Sequence, residues 1–397
     1  MVETHCTPYS CPDLLRTPFE AEVAGHSITL YPFGPDRLNR LVELIDVACA
    51  SVDVLYYTFE EDDAGTRVRD ALAAAAGRGV KVRLLVDSFG SSGTKDVFFE
   101  PLRQAGGSAR WFGTRWTPRY LIRNHQKLAV IDRATVMAGG FNIGKDYFGE
   151  WDCEESWQDM GFVLAGPAVD DAAAWFDSLS NWMDAPRPRF RDLRRIIRMH
   201  DSGDKPVRWL VGGPTARLSP LARALKREMI SAKRMAFSTA YFSPDGRFMS
   251  RIGKILRRGG KVDIVLPSKS DNGATIGASR LLYKYLLKRG ARIAEFAPCR
   301  LHNKLCVIDD TVLVGSANFD MRSLFLNMEL MLRVEDKGLA DHCRAIIQAQ
   351  RDSGTVITRE SHRKNATLFN RFRWALCWLV VATMDYGITR RLNFGLK

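Results

Sequence analysis

Two stretches of the chain carry a histidine, a lysine, an aspartate and an asparagine in the same order, their histidines 177 residues apart. The first runs His125, Lys127, Asp132, then Gly139-Gly140-Phe141-Asn142; the second runs His302, Lys304, Asp309, then Gly315-Ser316-Ala317-Asn318. Residues two apart on a strand point to the same face, so each imidazole and its ammonium can meet one anion. The apolar residues between Lys and Asp (LAVI and LCVI) read as a strand core. The small Gly-[Gly/Ser] pair lets the returning backbone approach closely before the asparagine. Each copy predicts a hairpin that delivers imidazole, ammonium and amide to one spot. A lone His-x-Lys reads as a solvated strand edge. Two copies in corresponding places, headed by two of only seven histidines, do not.

A duplicated sheet can set the two motifs face to face across a pseudo-twofold, so that two His, two Lys and two Asn share one cationic pocket. Such a pocket suits the non-bridging oxygens of a phosphodiester, whose charge grows in the transition state. Two lysines can hold the charge that a metal would otherwise hold, so neither a metal nor another cofactor is expected. One imidazole can attack phosphorus to form a phosphohistidine, while the other protonates the leaving alcohol and then activates the incoming one. That division needs one histidine neutral and the other protonated. A carboxylate beside an imidazole raises its pKa and fixes its tautomer, whereas nearby lysines depress it. Asp159 and Glu329, 27 to 34 residues after the histidines and on apolar strands, are the candidates to orient them. Asp132 and Asp309 complete the repeated set, but read as orienting the hairpin rather than taking protons.

The repeat extends to the elements that must position these groups. SVDVLYYTFEEDDAG, a helix, and RGVKVRLLVD are matched by RMAFSTAYFSPDG, a helix, and RGGKVDIVLP; PLRQAGGSARWF parallels YLLKRGARIAEF. The order strand, helix, strand, helix, strand, hairpin in both halves predicts an α/β protein of two α/β/α sandwich halves, each a largely parallel sheet with helices on both faces. The expected boundaries are an irregular lead-in (1–26), a first half (27–183), a Pro- and Arg-rich linker or exposed basic helix (184–206), a second half (207–350) and a basic, aromatic tail (351–397).

Composition narrows the partners. At 397 residues the chain can bury a large core, and 46% hydrophobic with 26% charged residues is a globular balance. A net charge of +13 points to an anionic partner, nucleic acid or an acidic membrane surface. Eight cysteines without metal-ligand spacing read as free thiols. The N-terminal sequence has no signal-peptide pattern, and no apolar run approaches the roughly 20 residues of a membrane span. Before the first histidine, Arg110, Arg115, Arg119 and Arg123 alternate with Trp111, Trp116 and Tyr120, and could form a lipid-facing mouth. The tail carries an eleven-residue apolar run, Trp374 to Met384, between basic clusters, which fits an interfacial anchor at the cytoplasmic face of a membrane.

The two His-x-Lys-x4-Asp motifs resemble the phospholipase D superfamily. RYLIRNHQKLAVID, GGFNIGKDYFG, the Trp-x-Asp-to-GPAV stretch and GSANFDMRSLFLNMEL are similar to bacterial cardiolipin synthases, over roughly residues 27 to 335. The resemblance implies transfer of a phosphatidyl group onto the glycerol hydroxyl of phosphatidylglycerol through a phosphatidyl-histidine. It makes His125 the nucleophile and His302 the general acid and base. It makes Lys127, Lys304, Asn142 and Asn318 phosphate ligands, with Gly140 and Ser316 lining the substrate site and Asp159 and Glu329 orienting the histidines. The copies depart from each other where Gly140 stands opposite Ser316, which removes a hydroxyl donor from one side. A phospholipase D that gives the phosphatidyl group to water is the alternative in the same superfamily. A nuclease would also suit a basic chain, but leaves the apolar tail without a role, and nucleic acid is not expected as a partner.

Overall fold

The computed structural model describes residues 11–113, 122–151, 153–201, 203–215 and 218–381. The first half supplies β1 (Phe19–Val23), β2 (His26–Tyr31), β3 (Ser51–Tyr56), β4 (Lys81–Asp87), β5 (Ser108–Phe112), β6 (Lys127–Ile131), β7 (Thr135–Gly139), β8 (Trp157–Gln158) and β9 (Gly161–Ala165). The second supplies β10 (Val207–Gly212), β11 (Arg234–Thr239), β12 (Phe242–Ser243), β13 (Lys261–Pro267), β14 (Arg292–Phe296), β15 (Arg300–Leu301), β16 (Lys304–Ile308), β17 (Thr311–Gly315), β18 (Phe319–Asp320), β19 (Glu329–Glu335) and β20 (Gly354–Ile357). Helices α1 (Gly34–Asp46), α2 (Asp63–Gly77), α3 (Glu100–Gln104), α4 (Ala168–Asp184) and α5 (Phe190–Met199) belong to the first half. Helices α6 (Pro220–Ser231), α7 (Gly246–Arg257), α8 (Gly273–Lys288), α9 (Met321–Phe325), α10 (Lys337–Asp352), α11 (Arg359–Asn365) and α12 (Leu368–Trp378) follow.

The strand orders show the duplication: β2-β9-β7-β6-β3-β4-β5 in one sheet and β10-β19-β17-β16-β11-β13-β14 in the other, with β1 and β20 added at opposite edges. The sheets are mixed rather than largely parallel. In the first, β3, β4 and β5 pair in parallel, and the motif hairpin β6–β7 with its neighbours β9, β2 and β1 is antiparallel. The turn from Ile131 to Thr135 is too short for a crossover, so β6 and β7 can pair only antiparallel.

Alternation along β6 sends Leu128 and Val130 to a central layer and Ala129 and Ile131 to an outer one. The central layer lies between the two sheets: α4 (Trp175, Phe176, Leu179) and α10 (Leu339, Cys343, Ile346) meet side chains of both halves there. Each Leu or Phe fully buried in that layer contributes roughly 1.5–3 kcal/mol. The outer layers are private, α1 and α2 covering the first sheet and α6, α7 and α8 the second.

Two sequence boundaries shift, at the lead-in and at the end of the second half. The lead-in contains β1, which pairs with β2 along its full length. Between the halves, α5 buries Leu193 and Ile197 in the central core and leaves Arg191, Arg195 and Arg198 exposed. The second half runs past residue 350, because β20 pairs with β14 and extends the sheet.

Candidate functional site

Both histidines sit just before a central strand, β6 or β16, and both are buried. Each is held by backbone of the other half. His125 N donates to Met328 O (2.9 Å) and Met328 N to Arg123 O (2.9 Å), while His302 N donates to Gln158 O (2.8 Å) and Arg300 N to Ser156 O (3.0 Å). The parallel pairing of β8 with β15, and the bridge between Asn124 and Met328, are the same stitch made twice.

The stitches bring each carboxylate to the histidine of the opposite half. His125 Nδ1 lies 3.1 Å from Glu329 Oε2, and His302 Nδ1 lies 2.6 Å from Asp159 Oδ2. Neither carboxylate serves the histidine that precedes it in its own half. With Nδ1–H donated to a carboxylate, Nε2 is left as the atom of each ring that can attack or exchange a proton. Tyr57 meets the His125 ring edge-on at 4.7 Å, and Tyr147 and Trp157 flank His302 at 5.1 and 5.2 Å.

Both lysines are buried beside the rings. Lys127 Nζ donates to His125 O at 2.6 Å; Lys304 Nζ donates to His302 O and lies 2.6 Å from His302 Nδ1 and 3.8 Å from Asp159 Oδ2. The single Nδ1 position serves Asp159 or Lys304 at one time, and donation to the carboxylate satisfies both better because the ammonium has the carbonyl. Asn142 accepts from Thr58 N (3.3 Å) and donates to Tyr147 OH (2.8 Å). Asn318 Oδ1 is buried without a hydrogen-bond partner among the described residues.

Gly140 and Ser316 solve one problem in two ways. Ser316 Oγ donates to Glu329 Oε2 at 2.5 Å and accepts from Leu330 N at 2.9 Å. A Cβ at Gly140 would stand 2.3 Å from Asp159 Oδ1 and 2.8 Å from Lys304 Cδ, so the shorter carboxylate fits only against glycine. Asp159 Oδ1 takes its donor from Met160 N instead, at 2.8 Å.

Burial and charge set the protonation. Burial pushes His302 down to about 3, Lys304 adding to the effect and Asp159 opposing it. Burial, then Lys127 and Lys304, also hold His125 well below the ordinary imidazole value. Lys304 is pushed down to about 8 by burial, and Lys127 is lowered by the same cause. The carboxylates differ: burial raises Glu329 to about 7, whereas at Asp159 the nearby Lys304 and His302 outweigh burial and hold it below the usual range. Both rings are therefore neutral near pH 7, and an acquired proton must be held by an incoming anion.

Asp132 and Asp309 stand at the hairpin turns, apart from the histidines. Each lies beyond the far end of a five-residue strand from its lysine, roughly 17 Å along the chain. Asp132 accepts from Cys49 N (2.9 Å), Ala50 N (2.7 Å) and Ser51 N (2.8 Å), and Asp309 from Lys233 N (3.0 Å) and Arg234 N (2.8 Å). They tie the hairpin turn to the start of β3 or β11. Arg110 and Trp111, at the start of the segment read as a lipid-facing mouth, have partners on the protein body. Arg110 bonds Asp184 and Ser180, and Trp111 Nε1 donates to Asp96 at 2.7 Å, so β5 spends both on the body. Arg115, Trp116, Arg119 and Tyr120 lie outside the described residues, as do residues 382–397 of the tail.

Arg37 escaped the sequence reading. Fully buried on α1, it donates to Pro32 O, Asp159 O and Tyr147 O, each at 2.7 Å, and so fixes the backbone under both Asp159 and Tyr147. The signal was present: Arg37 stands four residues before Leu41 and eight before Ile45, on the apolar face of its helix.

A duplicated α/β fold with one His–Lys site shared between its halves defines the class, and comparison with known proteins gives the family. The family model described as "Cardiolipin synthase, PLD-like domain" matches residues 41–180 and 225–351. Cardiolipin synthase 1 of Staphylococcus aureus (strain COL) is 30% identical over 356 residues, covering 87% of this chain and 71% of the relative. Major cardiolipin synthase ClsA of Bacillus subtilis (strain 168) is 31% identical over 326 residues, 79% of this chain and 67% of the relative. Among solved structures, phosphatidylserine synthase of Haemophilus influenzae Rd KW20 superposes with a TM-score of 0.65 at 17% identity, over 97% of this chain and 98% of that one. That likeness shows the shared fold. The chain belongs to the cardiolipin synthase group of phospholipase D-like proteins and is an enzyme of the phosphatidyltransferase type.

Proposed function

We propose that the protein makes cardiolipin by moving a phosphatidyl group from one phospholipid onto the glycerol hydroxyl of phosphatidylglycerol, through a phosphatidyl-histidine. The observation that carries this reading is the crossed pair of buried imidazoles, each with Nδ1 engaged by a carboxylate and an ammonium alongside. His125 Nε2 attacks phosphorus and the bond to the leaving alcohol breaks. His302, protonated as the anionic diester enters, gives its Nε2 proton to that alcohol's oxygen. The glycerol hydroxyl of phosphatidylglycerol then gives its proton to His302 and attacks phosphorus, and the P–N bond to His125 breaks. Lys127 and Lys304 hold the non-bridging oxygens; Asn142 and Asn318 add donors. Asp159 and Glu329 fix the tautomers.

The membrane side of the proposal rests on α12. Among the described residues no helix is long and apolar enough to cross a membrane. Leu368, Phe369, Phe372, Leu376, Leu379 and Val380 recur at helical spacing and are exposed, as are Arg371 and Arg373 on the same helix. Such a face suits the interface of an anionic membrane at the cytoplasmic side. Trp374, counted with the anchor run, instead packs into the body against His362 and α8.

Labelled phosphatidylglycerol in detergent–lipid micelles tests the reaction. Cardiolipin plus glycerol is expected, in the presence of a chelator as in its absence, because the lysines carry the charge. Phosphatidic acid as sole product would make the protein a phospholipase D. His302→Asn is expected to trap the phosphatidyl adduct on His125; an adduct found on His302 in the converse variant alone would exchange their roles.

A further inference from the structure

Behind the exposed stripe of α12, helices α8, α11 and α12 enclose a cavity of about 480 Å³, away from the histidine site. Its rim is cationic: Lys284 and Lys288 on α8, Arg363 on α11 and Arg371 on α12 are all exposed. Its floor is apolar, formed by Leu287 and Trp374, both buried. The acidic groups nearby are already engaged, Glu295 by Arg280 and Tyr283, and Glu360 by Lys364. None of the four cations makes an ion pair among the described residues.

Trp374 supplies a second, independent observation. It is only 3% exposed, and its Nε1 is buried with no hydrogen-bond partner among the described residues. An indole N–H in that position lacks the acceptor that buried donors almost always have. A phosphate oxygen held by the rim cations is the acceptor such a site suits. The apolar floor beside it suits the acyl chain that a free phosphate would not have.

We propose that this cavity is a second, non-catalytic site for an anionic phospholipid, its phosphate bound by Lys284, Lys288, Arg363 and Arg371 and its acyl chain laid along Leu287, Trp374 and α12. The proposal rests on the reading of α12 as the membrane-facing helix. It adds to it a headgroup site that selects anionic over zwitterionic lipid and orients the enzyme on its substrate surface. The second half alone carries it, because α11 and α12 follow the end of the duplicated unit.

The test uses the full chain on mixed vesicles of phosphatidylglycerol and phosphatidylcholine, doped with a phosphatidylglycerol analogue bearing a diazirine near its headgroup. Two groups of labelled peptides are expected, one around His125 and His302 and one spanning 281–288 and 363–374. Lys288→Glu with Arg371→Glu should cut labelling of the second group roughly tenfold or more and leave the first group labelled. The matching phosphatidylcholine analogue should label the second group weakly. If the first group is labelled and the second is not, or the second is labelled equally by both analogues or is indifferent to the charge reversals, the second site is refuted while the proposed function stands. If vesicle binding persists but the first group is never labelled, it is the proposed function that fails.

Discussion

Gly140 is fixed by the carboxylate it must admit, so making the two motif copies alike should harm rather than help. In Gly140→Ala the new Cβ displaces Asp159, 2.3 Å from it, and with it the hydrogen bond that sets the His302 tautomer. A misplacement of about 1 Å costs roughly 100-fold in turnover, and circular dichroism should show the fold retained. Unchanged turnover would mean that Asp159 does not position His302. The same ring dictates an acid-stability test. His302 titrates near 6.5 when exposed and near 3 when folded, so the folded chain binds fewer protons between those values. Its contribution to stability is complete above about 6.5 and is lost as pH falls toward about 3. Glu329, raised from 4.5 to about 7, binds more protons folded, so it penalises folding increasingly as pH rises between those values. The two trends oppose one another where their windows overlap, and the histidine effect stands clear below 4.5. His302→Asn should therefore lose melting temperature less steeply than the parent chain on acidification below that pH; equal slopes would contradict a neutral buried imidazole.

The motif hairpin shows which features the sequence displayed and which it hid. Asp132 and Asp309 adopt φ of 51° and 47°, a left-handed turn that Asn and Asp tolerate better than Ala, while accepting several backbone N–H groups. Asp309→Ala should cost about 1–3 kcal/mol of stability, read as a lower denaturation midpoint, with turnover per folded molecule unchanged. Asp309→Asn should keep most of the stability, and a large fall in turnover with stability intact would return Asp309 to the chemistry. The hairpins were legible because His-x-Lys and a four-residue apolar run recur together in both copies. The edge strands were not. β1 (FEAEV) alternates apolar and charged residues over only five positions and β20 (GTVI) is four residues long, so both are too short to stand out from a loop. The crossed carboxylates were also hidden. Sequence separation shows that Asp159 and Glu329 follow the histidines, but not that the β8–β15 and Asn124–Met328 stitches hand each one to the other half.

Across the whole molecule, those stitches and the central layer bring the two halves to one site, and under the proposed mechanism neither half acts apart. Neither isolated half contains a histidine together with its carboxylate, since Glu329 serves His125 and Asp159 serves His302. The halves are joined by more than the chain: Trp209 Nε1 donates to Ala168 O at 2.8 Å, its ring lies 5.9 Å from that of Phe162, and α4 and α10 share one core. The covalent connection at Gly203, Asp204 and Lys205 is exposed by contrast. A protease site inserted after Gly203 should therefore be cut without separating the fragments, which are expected to co-elute and to keep most of the turnover. Replacing one fragment by its His125→Ala or His302→Ala counterpart should remove turnover by several decades in either combination, because attack and proton transfer come from different fragments and neither substitutes for the other. Activity in a fragment purified alone would break the composite site. Activity in a mixed pair with one histidine missing would break the division of labour between the two rings and leave the shared core as a purely structural joint.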